Sequence, residues 1–220
     1  MDTRRIGLVL LMALAVALGA GCKKSQSDQT AAPDPPAAPA PAAPKAETVA
    51  RIHWLGKKRI AAETNAAYLM GLWNLPESEK LKEQTLNKLS SAPWRLWKGG
   101  TETNAAPTAL LRALLDDLLE EESYLEARSV TNQPVEIVFA IRLSAERAGL
   151  WHTNLAAVTE SLTGERSTPT EGGWSLKKHD APDLIELARA GDWMVVGLAQ
   201  KSNTLVSVLK SRIQHNGTPL

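Results

Sequence analysis

The sequence predicts an α+β domain in which helices pack on a largely antiparallel sheet, preceded by an N-terminal helical layer. Three observations predict this class. Residues 57–90 have helical spacing, residues 135–143 alternate in polarity, and short apolar runs with a turn between them occupy residues 184–199. Runs of helices followed by hairpins with helices between them are typical of α+β folds.

The first part of the domain is predicted to be helical after one strand. Residues 49–55 (VARIHWL) predict that strand, residues 57–73 a helix, and Pro76 opens a second helix that ends near Ser90. A third helix follows a Gly-Gly pair, since Pro107 suits a first helical turn. Its apolar face is formed by Leu110, Leu111, Leu114, Leu115, Leu118 and Leu119.

The second part is predicted to consist mainly of strands. In the most regular of them, apolar residues alternate with a face that carries Glu136 and Arg142, which indicates a half-buried strand. Gly191 and Asp192 predict a hairpin turn. The strands are predicted at residues 124–130, 135–143, 174–178, 184–189 and 193–199.

Two helices are predicted among these strands. Ser144 is the expected N-cap of the first and Gly164 its end. Ser202 or Asn203 should cap the second, which Gly217 ends.

The chain stops soon after that helix, where another strand could begin. This suggests that the domain, assigned to residues 48–220, is C-terminally incomplete. We then expect an uncovered sheet edge or apolar helix face near residues 193–213.

The first 21 residues predict a signal peptide. Two arginines precede residues 6–18, which carry no charge and are too few for a membrane span of about 20 residues. A basic start, a short apolar core and small residues at its end are the signature of a secretory signal.

Gly19, Ala20 and Gly21 directly precede Cys22, the only cysteine. This stretch resembles the lipobox of bacterial lipoproteins, with Gly19 standing where that class usually has leucine. The resemblance implies that Cys22 is lipidated and becomes the first mature residue. Because Lys23 follows it, where aspartate would retain the protein in the inner membrane, the class favours the outer membrane, facing the periplasm. The alternative is ordinary signal cleavage that leaves Cys22 as a free thiol.

Residues 22–47 are predicted to be the lipid anchor and a disordered tether. The stretch AAPDPPAAPAPAAPKA within them is built almost entirely of alanine and proline. Such sequences adopt extended polyproline II and serve as spacers.

Composition excludes several function classes. The net charge of +1 gives no electrostatic footprint for nucleic acid. No metal-ligand spacing joins His53, His152, His179 and His215, so no metal or other cofactor is expected. A single cysteine rules out an intrachain disulfide.

Two surface clusters are candidate sites. Trp94 and Trp97 lie in the stretch SAPWRLWKGG, after the predicted helix end. We expect at least one of the two indoles to pack on the helical layer, because two free indoles would leave an apolar patch. The alternative is that both form a ligand contact. An acidic cluster near the end of the leucine-rich helix is interpreted chiefly as solvated surface, with acid–base or calcium chemistry as the alternative. It comprises Asp116, Asp117, Glu120, Glu121 and Glu122.

Two functions remain open. The favoured hypothesis is a non-catalytic binding or scaffold module of the cell envelope that contacts protein or a cell-wall polymer. The alternative is an envelope hydrolase whose catalytic residues, which the sequence does not identify, converge only in three dimensions.

Overall fold

A computed structural model describes residues 46–98, 105–130, 135–177, 184–199 and 204–220. The strands are β1 (Ala46–Trp54), β2 (Ser123–Val130), β3 (Glu136–Arg142), β4 (Thr168–Thr170), β5 (Gly173–Lys177), β6 (Leu184–Ala190) and β7 (Trp193–Ala199). The helices are α1 (Lys57–Ala61), α2 (Ala67–Trp73), α3 (Pro76–Lys98), α4 (Ala105–Glu120), α5 (Ala145–Thr163) and α6 (Thr204–Asn216), with a 3₁₀ turn (Thr64–Ala66) before α2.

The described strands form one antiparallel sheet in the order β1-β2-β3-β7-β6-β5-β4. This confirms the predicted fold class. The predicted hairpin is also confirmed, because Ala190 pairs with Trp193 across the turn at Gly191 and Asp192. The short edge strand β4 has no counterpart in the prediction.

Helices cover both faces of the sheet. Phe139 and Ile141 of β3 face α4 and α5, whereas Val138 and Ala140 face α6. The prediction of a half-buried strand is therefore wrong. Glu136, expected on a solvent face, is buried, and the Thr204 hydroxyl donates a hydrogen bond of 2.9 Å to its carboxylate.

The N-terminal helices differ from the prediction in two ways. Residues 57–73 form α1, the 3₁₀ turn and α2 rather than one helix. The next helix continues past Ser90 to Lys98 and includes Pro93. A proline inside a helix removes one hydrogen bond, but here burial of Trp94 holds the last turns against the domain. Tertiary packing thus overrides the local preference.

The caps of α5 agree with the prediction. Ser144 accepts a hydrogen bond from the Arg147 backbone N–H, and Gly164 ends the helix. The predicted caps Ser202 and Asn203 lie outside the described residues.

The expected uncovered surface near residues 193–213 is absent from the described structure. Strand β7 lies inside the sheet and pairs with both β3 and β6. The apolar side of α6 is buried through Leu205, Val206, Leu209 and Ile213. That prediction is wrong, because the central strand and the last helix cover each other.

The described chain begins with β1 at Ala46, so Ala46 and Glu47 belong to the first strand rather than to the tether. Cys22 and the remaining tether lie outside the described residues. None of the described helices has the length and apolar character that crossing a membrane requires.

Candidate functional site

An apolar cavity of about 100 Å³ lies between the sheet and helices α4 and α5. Leucines at helical spacing on α4 form one wall, and a similar series on α5 forms the second. Alternate residues of β2, β3 and β7 form the floor. The lining consists of Pro93, Leu111, Leu114, Leu115, Leu118, Leu125, Ile137, Phe139, Trp151, Leu155, Val158, Leu162, Val196 and Leu198.

The chemistry of this cavity is uniform. None of the lining side chains carries an acid, a base or a nucleophile, and the indole N–H of Trp151, the one polar group among them, is already bonded to Asp117. A water molecule needs two to four polar partners to occupy a cavity, and apolar cavities of comparable size stay dry and accept apolar ligands. The arrangement therefore suits binding of an apolar group and supplies no acid–base chemistry at this place.

One wall of the cavity is fixed by a buried carboxylate. Asp117 of α4 accepts hydrogen bonds from Arg147 (2.6 Å) and from the Trp151 indole (2.8 Å), both on α5. The hydrogen bond to Asp117 raises the pKa of Arg147, against the opposing effect of burial. The Trp151 ring also stacks on Phe139 at 6.2 Å. These contacts hold α4, α5 and the sheet in register around the cavity.

Trp94 lies in the interior of the helical layer. Its side chain is 2 % exposed, packs with Val158 and Leu162, and donates a hydrogen bond of 3.2 Å to Ser161. The prediction of packing is therefore confirmed for Trp94, whose ring has no free face for a ligand. The backbone of Trp97 belongs to α3, and its side chain lies outside the described part of the chain.

The acidic cluster is neither free surface nor a metal site. Lys57, Lys58 and Arg59 of α1 contact Glu120, Glu121 and Glu122 respectively. The other pairs are Arg112 with Asp116, Arg147 with Asp117, and both His53 and Arg142 with Glu122. Carboxylates at a helix C-terminus oppose the helix dipole, and the paired lysines and arginines compensate for this unfavourable charge. Among the described residues, no group of three or more His, Cys, Asp or Glu side chains is placed to hold a metal ion.

A second polar cluster lies on the α6 face of the sheet. Glu126 is fully buried, and its carboxylate accepts hydrogen bonds from Tyr124 (2.6 Å) and Arg212 (3.1 Å). Arg51 lies 3.4 Å from the same oxygen, and Thr48 donates to the other at 3.2 Å. Burial acts to raise the pKa of Glu126, but the bonds from Tyr124 and Arg212 and the charge of Arg51 outweigh it and lower the pKa to about 2.

The Glu126 cluster is occupied by its own partners. Burial and the bond to Glu126 raise the pKa of Tyr124. Arg212 also donates to the Pro219 carbonyl at 2.7 Å, which ties residues beyond α6 to the sheet. We therefore interpret the cluster as a structural contact that links β1, β2 and α6.

The histidines considered as possible ligands do not lie together at one site. His53 contacts Glu122 at 2.9 Å, and the ring of His215 contacts the Ser211 carbonyl of its own helix. His152 offers only its backbone carbonyl, to Trp174. His179 and Cys22 lie outside the described residues.

Sequence reasoning located the leucine face of α4 but not the cavity beside it. The spacing of apolar residues identifies which side chains turn inward, whereas an unfilled volume depends on how far two layers stand apart. The sequence of β3 did indicate that the two faces of the sheet differ, because its large residues lie on one face and its smaller residues on the other.

No protein-family model, curated protein or solved structure matches the chain.

Proposed function

We propose that this protein is a non-catalytic binding module of the bacterial cell envelope. Lipid on Cys22 holds it at a membrane, the alanine- and proline-rich tether spaces it from that membrane, and the apolar cavity is its ligand site. The observation that carries the proposal is the cavity, whose lining presents only apolar side chains and one indole N–H that is already bonded. The outer membrane, facing the periplasm, is the favoured location.

The shape of the cavity favours a linear apolar chain as ligand. Leu111 and Leu118 both line it, and seven residues of helix separate them by about 10 Å. A volume of about 100 Å³ is roughly that of three water molecules. A short alkyl group fits such a volume better than a fused ring system does. Burial of each methylene contributes about 0.8 kcal/mol, so affinity should rise with chain length until the cavity is filled.

The hydrolase alternative has no support at this site. Hydrolysis by a serine or cysteine nucleophile requires the nucleophile, a histidine and a carboxylate within hydrogen-bond reach of one pocket. The side chains around the cavity include none of these groups.

Ligand binding is tested by titrating the purified full-length protein with a short straight-chain alcohol such as 1-pentanol and measuring the heat of binding. We expect saturable binding with one site per chain. Leu118→Phe narrows the cavity and should weaken binding about fourfold, since the lost volume excludes about one methylene worth about 0.8 kcal/mol. The matched control is Leu150→Phe, which places the same side chain on an exposed position of α5. Binding that is absent, or equally strong in both variants, would overturn the cavity as the site.

The anchor is tested separately in the native host. Labelling with a clickable palmitate analogue and the mass of the mature N-terminus should show an acylated chain that begins at Cys22. Cys22→Ala should abolish labelling and leave the domain folded, with Ser25→Ala as a control that keeps both. Wild-type protein that carries no label and begins elsewhere would exclude the lipid anchor.

A further inference from the structure

Five large apolar side chains are exposed on α2, in the turn that follows it and in the first part of α3. We call this surface the α2 patch; it consists of Tyr68, Leu69, Leu72, Leu75 and Leu81, whose exposed fractions range from 44 % to 81 %. Contiguous apolar patches are rare on soluble domains and usually mark contact with a protein or a membrane. The cavity lies elsewhere, so its ligand does not account for the α2 patch.

The segment that carries the patch is fastened to the domain without using those side chains. Helix α1, the 3₁₀ turn and α2 contain no buried residue. Instead, Trp73 stacks on Trp54 of β1 at 6.2 Å. The Ser78 hydroxyl donates to the Leu72 carbonyl at 2.8 Å, which joins α2 to α3.

The N-terminal end of the segment is fixed in the same way. The basic residues of α1 pair with the acidic end of α4, as Lys57 does with Glu120. Gly56 lies so close to the same turn that a Cβ there would be 2.6 Å from a carbonyl carbon of Glu121. Ionic, aromatic and backbone contacts therefore face the domain, and the leucines and Tyr68 face outward.

We propose that the α2 patch rests on the lipid bilayer to which the protein is anchored, an inference that depends on the membrane anchor of the proposed function. The connection from Cys22 to Ala46 is 23 residues long, and a chain of that length can span up to about 75 Å. It is long enough for any surface of the domain to reach the membrane. Tethering also raises the local concentration of membrane, so a weak apolar contact suffices.

The composition of the patch suits a lipid surface. Leucines with a tyrosine at their edge are characteristic of segments that lie in the membrane interface. Lys80 is exposed beside Leu81. A cation at this position favours anionic headgroups. Tyr68, at 81 % exposure, protrudes rather than lining a groove, which fits a fluid surface better than a side-chain pocket.

The test uses site-directed spin labels on the mature protein, extracted from its host and reconstituted into vesicles of phosphatidylethanolamine and phosphatidylglycerol. Cys22 is the only cysteine, and acylation blocks its thiol, so an introduced cysteine is the only labelling site. Leu72→Cys and Leu81→Cys report the patch. Val135→Cys and Val208→Cys are matched controls, because both residues are apolar and exposed, Val135 directly before β3 and Val208 on α6.

We expect the ratio of oxygen collisions to collisions with a water-soluble nickel complex to be severalfold higher at the patch sites than at the controls. Equal ratios at all four sites would overturn the bilayer contact. Patch labels shielded from both reagents would also overturn it, in favour of contact with protein. The mass of the mature N-terminus reports the anchor independently, so a failed patch is distinguished from a failed anchor.

Discussion

On the α6 face of the sheet one helix closes the core, whereas on the opposite face three helices surround a cavity. The α6 face presents Ala140, Ala188 and Ala190 in the sheet beside the larger Tyr124 and Trp193, and α6 packs onto this surface. The opposite face presents Phe139 and Ile141 against equally large residues of α4 and α5. Large side chains on both layers hold them apart, and the gaps between such side chains are harder to fill.

The two faces also treat polar groups differently. The α6 face buries a full carboxylate, Glu126, together with the tyrosine and arginine that bond to it. Around the cavity, Asp117 is bonded to Arg147 and Trp151 at one end of the wall, and the lining itself stays apolar. The α6 face is thus closed by polar bonds that leave no space for a ligand. The opposite face is closed by apolar contacts that leave a cavity.

Removing the Glu126 carboxylate should give the largest loss of stability. Glu126→Ala leaves Arg212 and Tyr124 without their buried partner, and breaking a buried ion pair in this way costs about 3–5 kcal/mol. Urea unfolding followed by tryptophan emission measures the loss. Glu160→Ala is the control, because Glu160 pairs with Arg166 on the surface and an exposed pair contributes about 1 kcal/mol or less. Equal losses in the two variants would contradict the structural importance of the buried cluster.

Stability should also fall in acid because of Glu126. Its pKa in the folded protein is about 2, lowered from an ordinary value of 4.5. A group with a depressed folded pKa stabilises the protein above its unfolded pKa and loses that contribution as the pH falls towards the folded value. By linkage, about 3 kcal/mol should be lost between roughly pH 5 and pH 2. Urea unfolding at several pH values measures this slope, which should be markedly shallower in Glu126→Gln; an unchanged slope in that variant would place the titrating groups elsewhere.

The two faces were not equally predictable from the sequence. Strand positions, the hairpin at Gly191 and the caps Ser144 and Gly164 follow from local patterns, and the structure agrees with them. The burial of Glu126 was not predicted, because a charged residue in a strand is ordinarily placed towards solvent and its partner Arg212 is 86 residues away.

The helix that continues through Pro93 is a second feature that local sequence patterns did not predict. Proline predicts a helix end from local rules, yet the helix continues because Trp94 is buried against α5. The stretch SAPWRLWKGG predicted that at least one indole packs on the helical layer, and Trp94 confirms this. The stretch alone could not show which indole packs or which helix it contacts. What local patterns determine here is the identity of the elements, and what they leave open is the contact between distant ones.

Trp94→Phe should give a moderate effect on the cavity side. The phenyl ring keeps most of the packing with Val158 and Leu162 but loses the hydrogen bond to Ser161. The expected loss is about 1–2 kcal/mol, from one hydrogen bond and a smaller buried area. Thermal unfolding measures it, with Ser161→Ala as the matched variant that removes the same bond and keeps the indole. No change in either variant would show that this contact contributes little to the helical layer.

Filling the cavity should give the smallest change in stability, and this change should be a gain rather than a loss. Leu118 lines the cavity from a partly buried position on α4, so Leu118→Phe adds apolar atoms where the layers stand apart. Cavity-filling substitutions commonly stabilise by about 0.5–2 kcal/mol, and we expect about 0.5–1 kcal/mol here because the larger ring must adjust its rotamer. Leu205→Phe is the matched variant on the α6 face, where Leu205 is fully buried and overpacking should cost about 1–3 kcal/mol. Thermal unfolding of ligand-free protein measures both changes. If both substitutions destabilise to the same extent, the two faces are equally well packed and the cavity has no room for a ligand.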